Sequence, residues 1–214
     1  MSENLLIIAH RGASGYCQDN THQSIQTSID MGIKIIEIDI RLTNDFKLVL
    51  SHDDTYAKKK IKKTLLQDLG NIVRLKDVLL STPNDIIFYL DIKCENDEKI
   101  FITKINNILE KFPNRIFYIA SFSDTFVSLF NRIYSNYHLG IIFEIFNENI
   151  YRVLQHKIDF VVNKFTKTNE FITFLEIKDK IKYIYTINDL ELITGCVDNI
   201  DGIITDYPDI LSLN

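Results

Sequence analysis

Ile33-Lys34-Ile35-Ile36-Glu37-Ile38-Asp39-Ile40 is an apolar run that turns half acidic at its end, and Leu48-Val49-Leu50-Ser51-His52-Asp53 follows it closely. Side chains alternate along a strand, so Ile38 and Ile40 share one face while Glu37 and Asp39 share the other. Thr43-Asn44-Asp45 reads as a turn leading into a second strand, Lys47 to Ser51. So short a connection cannot be the helical crossover that parallel strands need, and the two strands form an antiparallel hairpin. Folding back about Asn44-Asp45 sets residues 50–52 opposite residues 37–39 and brings His52 beside Glu37 and Asp39. Upstream, Ile7-Ile8-Ala9-His10-Arg11-Gly12 repeats the pattern, with strand Leu5 to Ala9 running into ionisable groups. A strand buried on both faces reads as a near-continuous apolar run, so polar residues at its end lie at the rim of a core.

Outward from this segment the chain keeps one rhythm. Asn20 or Thr21 caps a helix reaching about Met31, and Gly32 ends it. A short helix covers Leu75 to Leu80, and strand Ile86 to Ile92 carries Asp91 at its end and runs into Lys93. Phe101, Ile102, Ile105, Ile108 and Leu109 recur at helical spacing within a helix from Glu98 to Lys111. Further strands are expected at Ile116–Ala120, Leu139–Phe143, Phe160–Val162, Tyr183–Ile187 and Gly202–Thr205, with helices at Asp124–Tyr134, Asn147–Gln155, Asn169–Lys178 and Asp189–Val197. Strand–helix alternation implies a parallel sheet. Apart from the hairpin arm the strands number eight, the closure number of the TIM (β/α)8 barrel, whose sites sit at the C-terminal strand ends. The expected fold is therefore α/β: a TIM barrel with a β-hairpin arm after the second strand, one domain over residues 1–214. His10, Glu37, Asp39, Asp91 and Lys93 all fall at or near such ends.

Composition excludes some roles. Of 214 residues, 46% are hydrophobic and 25% charged, which supports a large core. A formal net charge of −5 argues against nucleic acid or anionic membranes as main partners. Cys17, Cys94 and Cys196 form no disulfide framework, as expected in a reducing compartment. Met1-Ser2-Glu3-Asn4 has no basic leader, and the apolar run Leu5 to Ala9 is too short for a signal segment or membrane span. The expectation is a cytoplasmic protein without a stable membrane anchor. The basic run Lys58 to Lys63 reads as a solvated loop face, with an anion- or lipid-binding patch as the alternative.

Two carboxylates on one strand face repel unless a cation neutralises them. Glu37 and Asp39, joined by Asp91, make an oxygen-only set suited to Mg²⁺ or Ca²⁺ rather than zinc, the alternative being salt bridges at the barrel rim. His10 and His52 are the candidate general acid and base, since imidazole titrates near neutral pH. His22, His138 and His156 have no comparable polar cluster around them. Arg11 and Lys93 would bind an anion such as phosphate, or Lys93 would pair with Glu37 or Asp39. Phe122 and Tyr185, at later strand ends, are candidates for an apolar substrate wall, or else core.

The ordered set His10-Arg11-Gly12, Asp19-Asn20-Thr21, Glu37-x-Asp39, His52-Asp53, Asp91-x-Lys93, Ser121-Phe122, Tyr185-Thr186-Ile187-Asn188 and Asp201 through Pro208 resembles the glycerophosphodiester phosphodiesterase family. The resemblance implies metal-dependent hydrolysis of glycerophosphodiesters, small-molecule substrates, to sn-glycerol 3-phosphate and an alcohol. It implies His10 and His52 as acid and base, Glu37, Asp39 and Asp91 as ligands of one divalent cation, and Arg11 and Lys93 on the phosphate. His10 is taken as base and His52 as acid, with water or the glycerol 2-hydroxyl as nucleophile. The chain departs from the family pattern in several places. Asp19 and Asp91 stand where Glu is usual, Tyr185 where Trp is common, and Asp45-Phe46 where Asp-Gly is usual; the segment from His52 to Asp91 is shorter. An open site of this kind admits a lysophospholipase D-like activity as an alternative, and a non-catalytic phosphodiester-binding barrel as a second.

Overall fold

A computed structural model describes residues 5–134, 136–166 and 168–210. In chain order the elements are β1 (Leu6–Ala9), α1 (His22–Asp30), β2 (Ile35–Leu42), β3 (Leu48–Leu50), β4 (Thr55–Tyr56), β5 (Lys59–Lys60), α2 (Leu75–Ser81), β6 (Ile87–Ile92) and α3 (Glu98–Leu109). They continue with β7 (Phe117–Ser121), α4 (Asp124–Ile133), β8 (His138–Phe143), α5 (Glu148–Leu154), β9 (Phe160–Lys164), α6 (Asn169–Leu175), β10 (Ile181–Tyr185) and β11 (Gly202–Thr205). Neighbouring strands run β1-β2-β6-β7-β8-β9-β10-β11 and back to β1, all parallel, so eight strands close a barrel and β3 lies outside it as the hairpin arm. Among the described residues no helix is long and apolar enough to cross a membrane.

The strand pattern divides the core in two. On β2, Ile36, Ile38 and Ile40 face the helices, as do Phe88, Leu90 and Ile92 on β6. The opposite face fills the lumen with Ile8, Ile35, Tyr89, Phe160, Val162, Tyr183 and Ile204. Close packing there needs a glycine: a Cβ on Gly140 would come within 2.3 Å of the Phe160 ring.

The hairpin has the expected direction, with Ile40 opposite Leu50 and Leu42 opposite Leu48. The Ser51 amide donates to the Asp39 carbonyl at 3.1 Å, so the expected register holds within about one residue. The turn keeps the left-handed backbone that a glycine would adopt freely, although Phe46 occupies it at φ 59°. Thr43 Oγ1 donates to Asp45 Oδ1 and accepts from the Lys47 amide, while Asp45 Oδ1 also accepts from the Leu66 amide, and these bonds hold the turn.

The first helix is capped as expected. The Thr21 side chain accepts from the Ser24 amide, and Gly32 follows the helix at φ 82°. The lysine run differs from a plain loop. Lys59–Lys60 pair with Thr55–Tyr56 in a small hairpin, and Ile61 is buried beside Val49, Leu69 and Ile72. Lys58, Lys59 and Lys60 remain exposed, and Lys60 and Lys62 pair with Asp54 and Asp97. The segment Asp189–Val197 is not one α-helix but two short 3₁₀ turns, Leu190–Ile193 and Val197–Asn199. Gly195 lies between them, where helix propensity is poor. The tenth strand ends at Tyr185, two residues before the expected Ile187, which is buried in the loop beyond it.

Candidate active site

Barrel closure turns strand ends into a ring. Following the inward face to the C-terminal ends of the strands brings His10, Asp39, Asp91, Phe122, Glu144, Lys164 and Tyr185 around one cavity of about 450 Å³. Arg11, Glu37, His52, Tyr89, Lys93 and Thr186 line it too. Every residue expected at the site therefore meets in a single cavity. His22, His138 and His156 do not line it.

Glu37, Asp39 and Asp91 are buried, and each offers a carboxylate oxygen such that these atoms all lie within 4.8 Å of one another. Their positions follow from register: Asp39 pairs with Asp91 across β2 and β6, and Glu37 lies one inward step deeper beside Tyr89. Arg11 Nε lies 3.1 Å from Asp39 Oδ2. The Lys93 ammonium bridges Asp39 Oδ1 at 3.0 Å and Asp91 Oδ2 at 2.5 Å. Lys93 thus pairs with Asp39, one of the two partners expected from sequence, and with Asp91 in place of Glu37.

The cluster remains short of positive charge. Burial, then the charges of Asp39 and Asp91, push the Glu37 carboxyl well above the usual carboxylate range despite Lys93 and Arg11. Burial also raises Asp91, which Lys93 only partly offsets. Asp39 goes the other way, because Lys93, Arg11 and Asn20 together outweigh its burial. Asp91 Oδ1 is buried and has no hydrogen-bond partner among the described residues. An all-oxygen donor set with excess negative charge and an unpartnered buried oxygen fits a hard divalent cation, and these three residues are able to hold one.

The histidines flank this cluster differently. His10 Nδ1 lies 2.6 Å from Asp206 Oδ1. A carboxylate can only accept, so Nδ1 carries a proton, and in the neutral ring the lone pair is then on Nε2. Asp206 also accepts from Ser14 Oγ at 2.7 Å and from Asn188 Nδ2 at 2.7 Å. Burial alone would raise its pKa, but the hydrogen bonds from His10, Asn188 and Ser14 hold it well below the usual carboxylate range. His52 is more open, its side chain 46% exposed, with Nδ1 2.9 Å from Asp53 Oδ1. Its carbonyl accepts from Arg41 Nε at 3.1 Å and Nη2 at 2.7 Å, which pins the loop that carries it.

Phe122 and Tyr185 do meet as a wall, their rings edge to face at 6.4 Å, and Lys93 Nζ sits 5.3 Å over the Phe122 ring. Tyr185 Oη donates to Glu144 Oε1 at 3.4 Å, and Lys164 Nζ is 3.6 Å from the same oxygen. Asp19, where the sequence departs from the family pattern, takes a bond from Arg11 Nη1 at 3.1 Å.

Three supporting residues were given no site role from the sequence. Asp206, quoted only within the family pattern, orients His10. Asn20, read as a possible helix cap and as part of Asp19-Asn20-Thr21, clamps Asp39 at both ends: its amide donates to Oδ2 at 2.8 Å, and its carbonyl accepts the Asp39 N–H at 3.0 Å. Arg41 anchors His52. The signal for Asp206 was present, since it follows a strand, as His10 does, and β1 pairs with β11 through Ala9 and Thr205.

Fold and site together define a class: a (β/α)8 barrel whose C-terminal mouth gathers a carboxylate cluster, two histidines and two cationic side chains. A sequence model of the glycerophosphoryl diester phosphodiesterase family matches residues 10–69. YhdW of Bacillus subtilis, named as a candidate glycerophosphodiester phosphodiesterase, is 26% identical over 97% of this chain and 96% of its own length. Human lysophospholipase D GDPD1 is 30% identical over 50% of this chain and 33% of that protein. A phosphodiesterase of Oleispira antarctica, solved in complex with the product sn-glycerol-3-phosphate, superposes with a TM-score of 0.86 at 22% identity over 97% of this chain and 95% of its own. The chain is thus similar to glycerophosphodiester phosphodiesterases, over residues 10–69 to the family model and along nearly its whole length to YhdW.

Proposed function

We propose that the protein is a metal-dependent phosphodiesterase that hydrolyses glycerophosphodiesters to sn-glycerol 3-phosphate and an alcohol. The observation that carries this reading is the convergence of Glu37, Asp39 and Asp91 with His10, His52, Arg11 and Lys93 in one cavity. Glu37, Asp39 and Asp91 would hold the ion, and their all-oxygen character favours Mg²⁺ or Ca²⁺. When bound, a divalent ion there supplies Lewis-acid polarisation of a phosphoryl oxygen.

The chain's own groups supply the rest. Arg11 and Lys93 neutralise charge that builds on the phosphoryl oxygens. His10 Nε2, free because Asp206 holds the Nδ1 proton, takes the proton of the attacking hydroxyl as its oxygen bonds to phosphorus. His52 gives a proton to the departing oxygen as its bond to phosphorus breaks. Phe122 and Tyr185 form the wall on which the departing alcohol rests. The attacking hydroxyl belongs to water or to the glycerol 2-position, and trapping a cyclic phosphate distinguishes the two.

One catalytic domain, supported by barrel closure from Leu6 to Thr205, carries the activity. The three free cysteines support a reducing, cytoplasmic setting. A second reading, lysophospholipase D-like cleavage, is favoured by a further cavity of about 630 Å³, which adjoins the site at His52, Lys93 and Phe122 and leaves room for a bulkier diester.

The test is release of sn-glycerol 3-phosphate from glycerophosphocholine and glycerophosphoethanolamine, alongside choline release from lysophosphatidylcholine, with EDTA and then with Mg²⁺ or Ca²⁺ restored. Divalent-dependent release from the glycerol diesters is expected. Dominant lysolipid cleavage selects the second reading. Binding without hydrolysis under every condition leaves a non-catalytic barrel.

A further inference from the structure

The floor of the cavity contains a polar group that the mechanism above does not use. Tyr89 is 1% exposed, and its hydroxyl has no hydrogen-bond partner among the described residues. Buried hydroxyls are nearly always paired, so one that is not calls for an explanation. Tyr89 lines the same cavity as the carboxylates, two residues before Asp91 on the inward face of β6 and in register with Glu37. Its Cα is therefore about 7 Å along the strand from that of Asp91, given a strand rise of about 3.3 Å per residue.

The surroundings define what can reach it. Ile142, Val162 and Ile204 form the neighbouring cavity wall and offer no polar side-chain atom. Below, the lumen is closed by aromatic rings, with Phe160 5.5 Å from Tyr89 and 5.6 Å from both Tyr118 and Tyr183. The ring of Tyr89 is thus held rigidly while its hydroxyl remains free to pair. A small group entering from the Asp39–Asp91 layer meets apolar walls, the Glu37 carboxylate and the Tyr89 hydroxyl. The mouth, where Phe122, Glu144, Lys164 and Tyr185 stand, is wider and chemically mixed.

We propose that Tyr89 is a specificity-determining residue whose hydroxyl donates a hydrogen bond to a hydroxyl of the glycerol half of the diester, selecting a small polyol for the floor and leaving the alcohol half at the mouth. This rests on the glycerophosphodiester reading above. Two consequences follow from the geometry. Tyr89→Phe removes one atom with no protein partner, so it leaves the fold intact. The loss falls only on ligands that carry the matching hydroxyl, because a site built to bond a hydroxyl discriminates against analogues that lack it.

The test compares wild type and Tyr89→Phe in two assays. In the first, kcat/KM is measured with glycerophosphocholine and with bis(p-nitrophenyl) phosphate, which has no glycerol hydroxyl. The variant loses about ten-fold on the glycerol diester, the scale of one hydrogen bond, and stays within two-fold on the nitrophenyl diester. In the second, calorimetry measures binding of sn-glycerol 3-phosphate and of propyl phosphate in the presence of Mg²⁺ or Ca²⁺. Wild type prefers glycerol 3-phosphate, and Tyr89→Phe erases about ten-fold of that preference, whether or not turnover is seen. Equal losses on both diesters, an unchanged variant, or a preserved preference for glycerol 3-phosphate overturns the assignment. Absence of turnover in wild type would count against the phosphodiesterase reading alone, because the binding comparison still decides the role of Tyr89.

Discussion

Replacing Asp206 with Asn would swap one acceptor oxygen for an amino group while keeping the side chain's size. In the native site Asp206 Oδ1 takes bonds from His10 and Ser14, and Oδ2 takes one from Asn188. Asn188 cannot turn over freely, because its own oxygen accepts from the Asp206 amide at 2.9 Å and from Thr205 Oγ1 at 3.2 Å. An Asn at position 206 that put its amino group toward Asn188 would set donor against donor. The favoured orientation therefore turns the amino group toward His10. Ser14 can rotate its hydroxyl to suit, but His10 must then accept at Nδ1 and move its proton to Nε2. That is the wrong tautomer for a base, so kcat should fall by about 10² to 10⁴, the scale of general acid–base catalysis. Binding of sn-glycerol 3-phosphate should change little, and the lost charge-assisted bonds should cost about 1–3 kcal/mol of stability. Steady-state kinetics give the rate, and nitrogen-15 NMR of the imidazole reports the tautomer directly. A variant with kcat within three-fold of wild type, or with the proton still on Nδ1, would rule out Asp206 as the group that sets the His10 tautomer.

Other outcomes follow from the same geometry. His52→Ala should lower kcat on glycerophosphocholine by about 10² to 10⁴, yet lose far less on a p-nitrophenyl diester, whose leaving group departs without a proton; steady-state rates on the two substrates check this. Asn20→Ala removes both bonds that clamp the buried Asp39 and should cost about 1–3 kcal/mol, measured by urea unfolding, together with weaker Mg²⁺ binding by calorimetry. Because the folded-state pKa of Asp206 lies below its ordinary value, its ionised form favours folding above the unfolded pKa of about 3.9. That contribution should be lost as pH falls from there through the folded value, so urea unfolding between pH 5 and 2 should show a shallower decline in Asp206→Asn than in wild type.

Much of this site could be read from local pattern because its residues sit where apolar runs stop. His10, Glu37, Asp39, Asp91 and Lys93 each stand out against Ile-rich strands, and parallel closure gathers strand ends without further information. The hairpin arm was legible because a turn of a few residues permits one topology, and His52 came with it. What escaped depended on contacts distant in sequence or on atoms rather than patterns. Asp206 lies 196 positions from His10 and meets it only because β11 closes on β1. Asn20 looked like a cap because Thr21, next to it, is one, and only the fold turns its amide onto Asp39. Tyr89 falls within the expected strand Ile86 to Ile92 with no role of its own, and its ring is core; that its hydroxyl has no partner among the described residues is visible only once the lumen is built. The last helix failed for a local reason: Leu190 and Ile193 are buried at the right spacing, but the run is too short and broken by Gly195 to hold an α-helix.

All of this chemistry depends on one cation and one phosphoryl group sharing the pocket between His10 and His52, an arrangement open to direct observation. Its most direct test is a crystal structure grown with Mn²⁺ and sn-glycerol 3-phosphate, with the anomalous signal locating the metal. A single peak bonded by Glu37, Asp39 and Asp91, with the phosphate against Arg11 and between the two imidazoles, is the predicted result. A peak on other ligands, or a phosphate bound away from both histidines, would contradict it.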